Sequence, residues 1–87
     1  QIASVITLTG NNARQLAYHL ERKLFDTGHA ATILEDGSEQ LVAAIKQAGL
    51  LCLSLDGQAG HSDVTFNCDE CSVDEIYAAL KNRGLIH

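Results

Sequence analysis

The hydrophobic and polar residues of this chain follow each other in blocks, and the period of each block predicts a strand or a helix. Residues 4–9 (SVITLT) are apolar or β-branched without clean alternation, as in a strand covered on both faces. The next apolar positions recur at helical spacing: Ala13, Leu16, Ala17, Leu20 and Leu24. We therefore expect a central strand followed by an amphipathic helix, with Asn12 as its N-cap and Gly28 just beyond its end.

The same alternation continues through the middle of the chain. Residues 30–34 predict a second strand, and Ser38 can cap a second helix that ends before Gly49. The positions expected to face inward on that helix are Leu41, Val42, Ile45 and Ala48. Residues 50–55 predict a third strand, completing a second strand–helix–strand unit.

The last third of the chain begins with turn-forming residues and ends with a helix. Residues 56–63 (DGQAGHSD) predict a loop, and residues 64–67 a short fourth strand. Ser72 and Glu75 have the spacing of a capping box, in which each side chain binds the other residue's backbone N–H. The helix that follows carries Ile76, Tyr77 and Leu80 at helical spacing before Gly84.

Strands that alternate with helices over short turns favour one α/β domain spanning residues 1–87. We expect three layers, with about four mainly parallel strands and three helices. Ligands bind such sheets at the carboxyl ends of the strands, so residues 10–12, 35–38 and 56–61 are the places where a site should lie.

Composition and charge exclude some partners. The formal net charge is −5 and the six Lys and Arg residues form no basic stripe, which argues against nucleic acid. No apolar run approaches the length of a membrane span, so no membrane contact is expected. Three cysteines, an odd and small number, suit a reducing cytoplasm. Because the chain starts at Gln1 and lacks Met, we interpret it as a domain of a longer protein.

Several stretches of the chain resemble adenosine 5′-phosphosulfate (adenylylsulfate) kinase, a P-loop enzyme of sulfate assimilation. The stretches are 6–10 (ITLTG) continuing into 16–24 (LAYHLERKL), 28–36 (GHAATILED), 48–55 (AGLLCLSL) and 63–86, which contains DVTFNCDECSVDEIYAAL and RGLI. The resemblance implies a P-loop NTPase-like sheet with the first strand inside and the second and fourth strands at the edges. The middle of the family's domain, with its substrate pocket and lid, has no counterpart here.

The first turn departs from the family pattern. A P-loop needs G-x-x-x-x-G-K-[ST], in which Lys and a hydroxyl hold the phosphates and Mg²⁺. Here Gly10 is followed by Asn11 and Asn12, and Ala13 and Arg14 stand where the Lys and the hydroxyl residue align best. The resemblance thus implies a vestigial phosphate loop at Gly10, Asn11 and Asn12.

A second vestige of the family's site follows the second strand. Asp36 and Gly37 match half of an Asp-Gly-Asp motif. Residual binding of ATP or adenosine phosphosulfate is the only cofactor interaction that the resemblance implies, and we predict no required cofactor.

Cys68 and Cys71 form a C-x-x-C pattern that suggests two alternatives. A redox pair would need a lowered thiol pKa, whereas the adjacent Asp69 and Glu70 would raise it. A zinc site would need further ligands such as His61 and His87. We expect the structural interpretation, a plain turn, with reduced and metal-free cysteines and a buried, inert Cys52.

Other polar residues are interpreted structurally. His19 and His29 are expected at the surface or its boundary. The dipeptides at the strand ends, Glu35-Asp36 and Asp56-Gly57, are expected to form turns and caps rather than to supply paired catalytic carboxylates.

The leading hypothesis is a non-catalytic regulatory or assembly domain in sulfate assimilation. Its rivals are an active adenylylsulfate kinase and a C-x-x-C redox or metal module. The expected partners are other domains of a parent protein or further copies of this chain, bound through a sheet edge or helix face. Tyr18 and Phe25, off the main stripe of the first helix, could anchor such a contact.

Overall fold

A computed structural model describes residues 4–35, 39–55 and 62–87, which contain three helices and a four-stranded sheet. In chain order the elements are β1 (Val5–Thr9), α1 (Ala13–Asp26), β2 (Ala31–Leu34), α2 (Glu39–Gln47), β3 (Leu51–Leu55), β4 (Val64–Asn67) and α3 (Val73–Asn82). The predicted α/β class is confirmed. Among the described residues, no helix is both long and apolar enough to cross a membrane.

The sheet is parallel throughout and has the order β2-β3-β1-β4. Ile6 on β1 pairs with Leu53 of β3 on one side and Val64 of β4 on the other. The first strand therefore lies inside the sheet, with β2 and β4 at the edges, as expected. This order brings the turns that follow β1 and β4 to the same end of the sheet.

The larger core lies between the sheet and two helices, α1 and α3. Its fully buried side chains include Ile6 and Leu8 of β1, Leu20 and Leu24 of α1, and Ile76 of α3. Because side chains alternate across a strand, the odd-numbered residues of β1 point to the opposite face. There Val5 and Cys52 pack against Val42 and Ile45 of α2, which forms the third layer.

Two expectations for α2 are wrong. Leu41 is 45% exposed and Ala48 is also exposed, although both were expected to face inward. The helix buries only Val42 and Ile45. At 100° per residue, Leu41 and Ala48 lie to one side of that narrow strip, where this short helix has no neighbouring layer to pack against among the described residues.

The helix ends follow the sequence with one exception. Gly28 has φ +89°, and the following N–H, of His29, donates to the Leu24 carbonyl at 2.8 Å, which closes α1. Asn12 stands at the N-cap position, but its side chain makes no capping hydrogen bond. The N–H of Ala13, the first residue of α1, donates to the Gly10 carbonyl at 3.3 Å. The proposed cap residue of α2, Ser38, lies outside the described residues.

Polar contacts join α1 to α3 above the core. Lys23 Nζ lies 2.8 Å from the Asp74 carboxylate and 5.0 Å from the centre of the Tyr77 ring. The hydrogen bond to Asp74 raises the pKa of Lys23. Because the pair is largely exposed, the apolar contacts beneath it contribute most of the packing energy.

Two threonines of β1, Thr7 and Thr9, allow a test of how a hydroxyl group within the sheet affects stability. Thr7 is 4% exposed and, within the described residues, its hydroxyl has no hydrogen-bond partner. Thr9 is half-buried, and its hydroxyl donates to the Phe66 carbonyl at 3.3 Å. A buried hydroxyl without a partner costs about 1 kcal/mol or more, whereas a made bond contributes about 1 kcal/mol. We expect Thr7→Val to raise the free energy of unfolding by about 1 kcal/mol and Thr9→Val to lower it, measured by urea denaturation. Loss of stability in both variants would contradict this.

The predicted capping box at α3 is present and should respond to pH. The Ser72 hydroxyl accepts from the Glu75 N–H at 3.2 Å, and the Ser72 N–H donates to Glu75 Oε1 at 2.9 Å. The bond from the Ser72 backbone, and then that with its side chain, lowers the pKa of Glu75. A carboxyl whose pKa is lower in the folded state stabilises the fold above its unfolded pKa, and this contribution disappears as pH falls through the folded pKa.

We therefore expect the stability difference between the natural chain and Glu75→Gln to be largest near neutral pH and to vanish under acidic conditions. Urea denaturation across a pH series measures it. The Gln variant is a close control because its amide can still accept from the Ser72 N–H. A difference that stayed constant down to acidic pH would contradict the assignment.

Candidate functional site

The loop that was predicted to be a vestigial phosphate loop lies at the carboxyl end of β1, beside the turn that leaves β4. Gly10, Asn11 and Asn12 connect β1 to α1. Thr9 pairs with Asn67 in the parallel sheet, so residues 68–71, which lead from β4 to α3, run alongside this loop. The candidate site therefore consists of two neighbouring turns at the carboxyl ends of β1 and β4.

The carboxylate of Asp69 binds the loop. The Asn11 N–H donates to Asp69 Oδ2 at 3.1 Å, and the Asn12 N–H donates to Asp69 Oδ1 at 3.3 Å. These are backbone donors of the kind that surround phosphate in P-loops. The first turn of α1 contains no acidic residue, so Asp69 also supplies the negative charge that a helix N-terminus favours. Both donors precede the helix, so these bonds hold the loop in front of α1 and do not replace the side-chain cap expected of Asn12.

A set of hydrogen bonds fixes the position of Asp69. Its own N–H donates to Asn67 Oδ1 at 3.0 Å, and the Asn67 carbonyl accepts from the N–H groups of Glu70 and Cys71 at 3.0 and 3.1 Å. The Cys68 N–H donates to the Thr9 carbonyl at 2.8 Å, which continues the β1–β4 pairing into the turn. Asp69 is thus held by the turn itself, independently of the loop it contacts.

Glycine fits position 10 better than a residue with a side chain. Its φ is +101°, a conformation that side chains disfavour. A Cβ on Gly10 would lie 2.8 Å from Asp69 Oδ2, 2.9 Å from Asp69 Cγ and 3.0 Å from Asn67 Oδ1. A P-loop uses glycine to let the backbone approach a phosphate, and here Gly10 lets it approach a carboxylate.

The two residues after the loop also have other roles. Ala13 is 4% exposed and belongs to the main core. Arg14 forms an ion pair with Glu35, which follows β2. Both side chains are at least 44% exposed, so this pair adds little to stability, but it gives the guanidinium a carboxylate partner within the chain. The other predicted pieces of the site, Asp36 and Gly37, lie outside the described residues.

The cysteines do not form a chemical centre among the described residues. Cys52, Cys68 and Cys71 form no disulfide bond. Cys52 is fully buried as expected, and burial raises the pKa of its thiol while Lys46 partly opposes this. Cys68 is 4% exposed and Cys71 half-buried.

A metal site is not formed by the part of the chain that the structure describes. No group of three or more His, Cys, Asp or Glu side chains there could hold a metal ion. His19 is exposed, and His29 is half-buried with its Nε2 3.1 Å from the His87 backbone carbonyl. His61, the other ligand considered, lies outside the described residues.

Sequence reasoning missed Asp69, considering it only for its effect on the neighbouring thiols. A signal was available, because parallel neighbouring strands place the turns that follow them side by side. Asp69 lies in the turn after β4, and the first turn of α1 has no acidic residue of its own. A contact between Asp69 and the start of α1 could therefore have been predicted. Asn67, two residues before Asp69, also has the spacing of an Asx turn.

Comparisons of this chain with protein-family models, with curated proteins and with solved structures found no match.

The contact between Gly10 and Asp69 can be measured by a double-mutant cycle. Gly10→Ala should destabilise the fold by about 1–3 kcal/mol, because it adds a disfavoured φ to the clash with the carboxylate. In an Asp69→Ala background the clash with the carboxylate is gone, so the same substitution should cost less. Urea denaturation of the four proteins gives the coupling free energy.

Glu70→Ala is the matched control background, because it removes the neighbouring exposed acid and leaves Asp69 in place. Gly10→Ala should cost as much there as in the natural chain. An equal cost in all three backgrounds would show that Asp69 does not approach Gly10 in solution.

Proposed function

We propose that this chain is a non-catalytic, adenylylsulfate-kinase-like domain with a regulatory or assembly role in cytoplasmic sulfate assimilation. The observation that supports the loss of catalysis is the Asp69 carboxylate on the N–H groups of Asn11 and Asn12. These backbone groups are where the resemblance would place a nucleotide phosphate. The protein's own acid holds them instead.

The energies favour the carboxylate over a nucleotide phosphate. A helix N-terminus attracts an exposed anion by about 0.3–1 kcal/mol. Two unit charges 4 Å apart repel each other by about 1 kcal/mol in bulk water and about 4 kcal/mol near a protein surface. A phosphate beside Asp69 would meet a repulsion at least as large as the attraction, and displacing Asp69 would break the two hydrogen bonds that it accepts from the loop before α1.

The side chains that would complete a kinase site are committed elsewhere or absent. Ala13 is buried in the core and cannot contact a phosphate. The guanidinium of Arg14 pairs with Glu35. The loop contains neither a Lys for the phosphates nor a hydroxyl for Mg²⁺. Transition-state charge would thus develop beside a carboxylate, the opposite of what phosphoryl transfer needs.

An assembly role is supported by the surfaces left open. Phe25 is 74% exposed and Tyr18 is 51% exposed on α1, as expected for residues off its buried stripe. Large aromatic side chains are common anchors of protein contacts. Edge strands β2 and β4 add backbone groups that another chain can pair with.

The catalytic part of the proposal is tested with MgATP and adenosine 5′-phosphosulfate. We expect no phosphorylated product above the level of a protein-free control. In ¹⁵N–¹H spectra, tripolyphosphate should not shift the Asn11 and Asn12 amide signals of the natural chain. In Asp69→Ala it should shift them, because the donors are then open to an added anion, while Glu70→Ala should behave like the natural chain.

Two results would overturn the proposal. One is product formation that Arg14→Ala abolishes. The other is saturable, equal shifts at Asn11 and Asn12 in the natural chain and in Asp69→Ala, which would show that the carboxylate does not compete for these donors.

A further inference from the structure

The turn that positions Asp69 is bounded by two cysteines, Cys68 and Cys71, which form no disulfide bond in the structure. The Asn67 carbonyl accepts from the N–H of Glu70, three residues later, and from the N–H of Cys71, four residues later, at 3.0 and 3.1 Å. Such hydrogen bonds define one turn of helix, in which Cα atoms three residues apart lie about 5 Å from each other. Disulfides span Cα separations of about 4.4–6.8 Å. The backbone of this turn therefore sets the two cysteines at a spacing that a disulfide can bridge.

The side chains of the two cysteines lie on the same side of the turn. Cys68 is 4% exposed and belongs to the main core, and Cys71 is half-buried and packs against that same core. Asp69 stands between them in the sequence, and its carboxylate accepts from the N–H groups of Asn11 and Asn12. A bond between the two sulfur atoms would thus close a ring that contains the backbone of Asp69.

The unequal exposure of the thiols gives them different roles in an oxidation. An oxidant must first reach one sulfur atom from solvent, which the half-buried Cys71 allows and the buried Cys68 opposes. Cys68 then needs no access to solvent, because its partner is three residues away in the same turn. Cys52 takes no part, since it is fully buried and packs on the opposite face of the sheet with α2.

We propose that Cys68 and Cys71 form a reversible disulfide that locks the turn in the conformation in which Asp69 binds the loop. The oxidant is a small-molecule disulfide such as glutathione disulfide. The Cys71 thiolate attacks one of its sulfur atoms, forms a mixed disulfide and releases one thiol. The Cys68 thiolate then attacks the Cys71 sulfur and releases the second thiol. Two electrons pass from the cysteines to the external disulfide, and the two released thiols take up the two protons.

The disulfide would act on the loop through the position of Asp69. In the reduced chain the turn is held by hydrogen bonds alone, including the exposed bond from the Asp69 N–H to Asn67 Oδ1. Exposed bonds of this kind open locally at low cost in free energy. A covalent ring removes the open conformations of the turn. The hydrogen bonds that Asn11 and Asn12 donate to Asp69 should therefore open less often in the oxidised chain. This inference goes beyond the function proposed above and does not rest on it.

Mass spectrometry of the full chain tests whether the disulfide forms. After incubation with glutathione disulfide and alkylation under denaturing conditions, the natural chain should have lost two hydrogen atoms and should carry alkyl groups at Cys52 alone. Cys68→Ser should accumulate a mixed disulfide with glutathione at Cys71. Cys71→Ser, the matched variant, should react with glutathione disulfide at least about tenfold more slowly, because Cys68 is buried. Absence of the disulfide in the natural chain, or equal reactivity of the two variants, would overturn the proposal.

Amide hydrogen exchange followed by NMR tests the lock. Exchange at Asn11 and Asn12 should slow at least about threefold on oxidation and recover on reduction with dithiothreitol. The Ile33 amide, in β2 at the far edge of the sheet, serves as the internal reference. Asp69→Ala is the matched variant, because it keeps both cysteines and removes the carboxylate, so oxidation should leave the exchange of the two loop amides unchanged there. Equal slowing at Ile33, slowing that persists in Asp69→Ala, or faster exchange on oxidation would refute the lock.

These measurements use no nucleotide, so they separate this proposal from the proposed function. A chain that does not oxidise and does not transfer phosphate would remove the disulfide and leave the non-catalytic assignment standing. A chain that oxidises as described but transfers phosphate would do the reverse.

Discussion

The parallel pairing of β1 with β4 is the constraint on which the rest of the candidate site depends. It places Thr9 opposite Asn67, so both strands end at the same end of the sheet. The two turns that follow them therefore lie next to each other. The backbone bond from Cys68 to Thr9 extends this pairing by one residue and sets the start of the second turn. Asp69 then needs only its Asx-type bond to Asn67 to reach the amides of Asn11 and Asn12 in the loop before α1. Without β4 beside β1, the carboxylate and the helix would be unrelated.

The loop before α1 presents two backbone N–H groups, and the chain's own Asp69 carboxylate accepts hydrogen bonds from both. In a P-loop the backbone N–H donors are free to bind a phosphate, and a Lys and a metal ion balance the negative charge of that phosphate. Here the carboxylate of Asp69, on a short side chain, accepts from two backbone donors of the loop, and the loop has no Lys to balance a second anion. The internal anion does not lose translational freedom on binding, which a free nucleotide must. A modest interaction is therefore enough to keep these donors occupied, and the same close contact favours glycine at position 10.

Local signals in the sequence predicted most of the fold, whereas the site depended on contacts between distant residues. The capping box of Ser72 and Glu75 could be predicted because its partners are three residues apart. The buried β1 and the stripe of α1 could be predicted because their periods are set by the strand and the helix themselves. The ion pair of Arg14 with Glu35 joins residues 21 apart, and the contacts of Asp69 with the loop join residues 57 and 58 apart. No period in the sequence encodes such contacts.

The two wrong expectations for α2, buried Leu41 and buried Ala48, also concern contacts between distant parts of the chain. Burial of these residues depends on what packs beside the helix, and the sequence of the helix alone does not determine this. A helical stripe predicts which residues share a face, but the width of the buried strip depends on how much of the sheet lies beneath it. One helix on this face buries two residues of its stripe, while α1, which shares the opposite face with α3, buries four.

The helices cover the two faces of the sheet unequally, and this also leaves apolar surface exposed at the β2 edge. On the α1 face, Ile33 and Ala31 lie where the helix layer ends, and Phe25 extends past that limit into solvent. A sheet that ended there in isolation would be expected to carry a charge or a proline on its last strand, because an unguarded parallel edge promotes uncontrolled pairing. The described part of β2 carries neither a charge nor a proline, so this edge is one of the open surfaces on which the proposed assembly role depends.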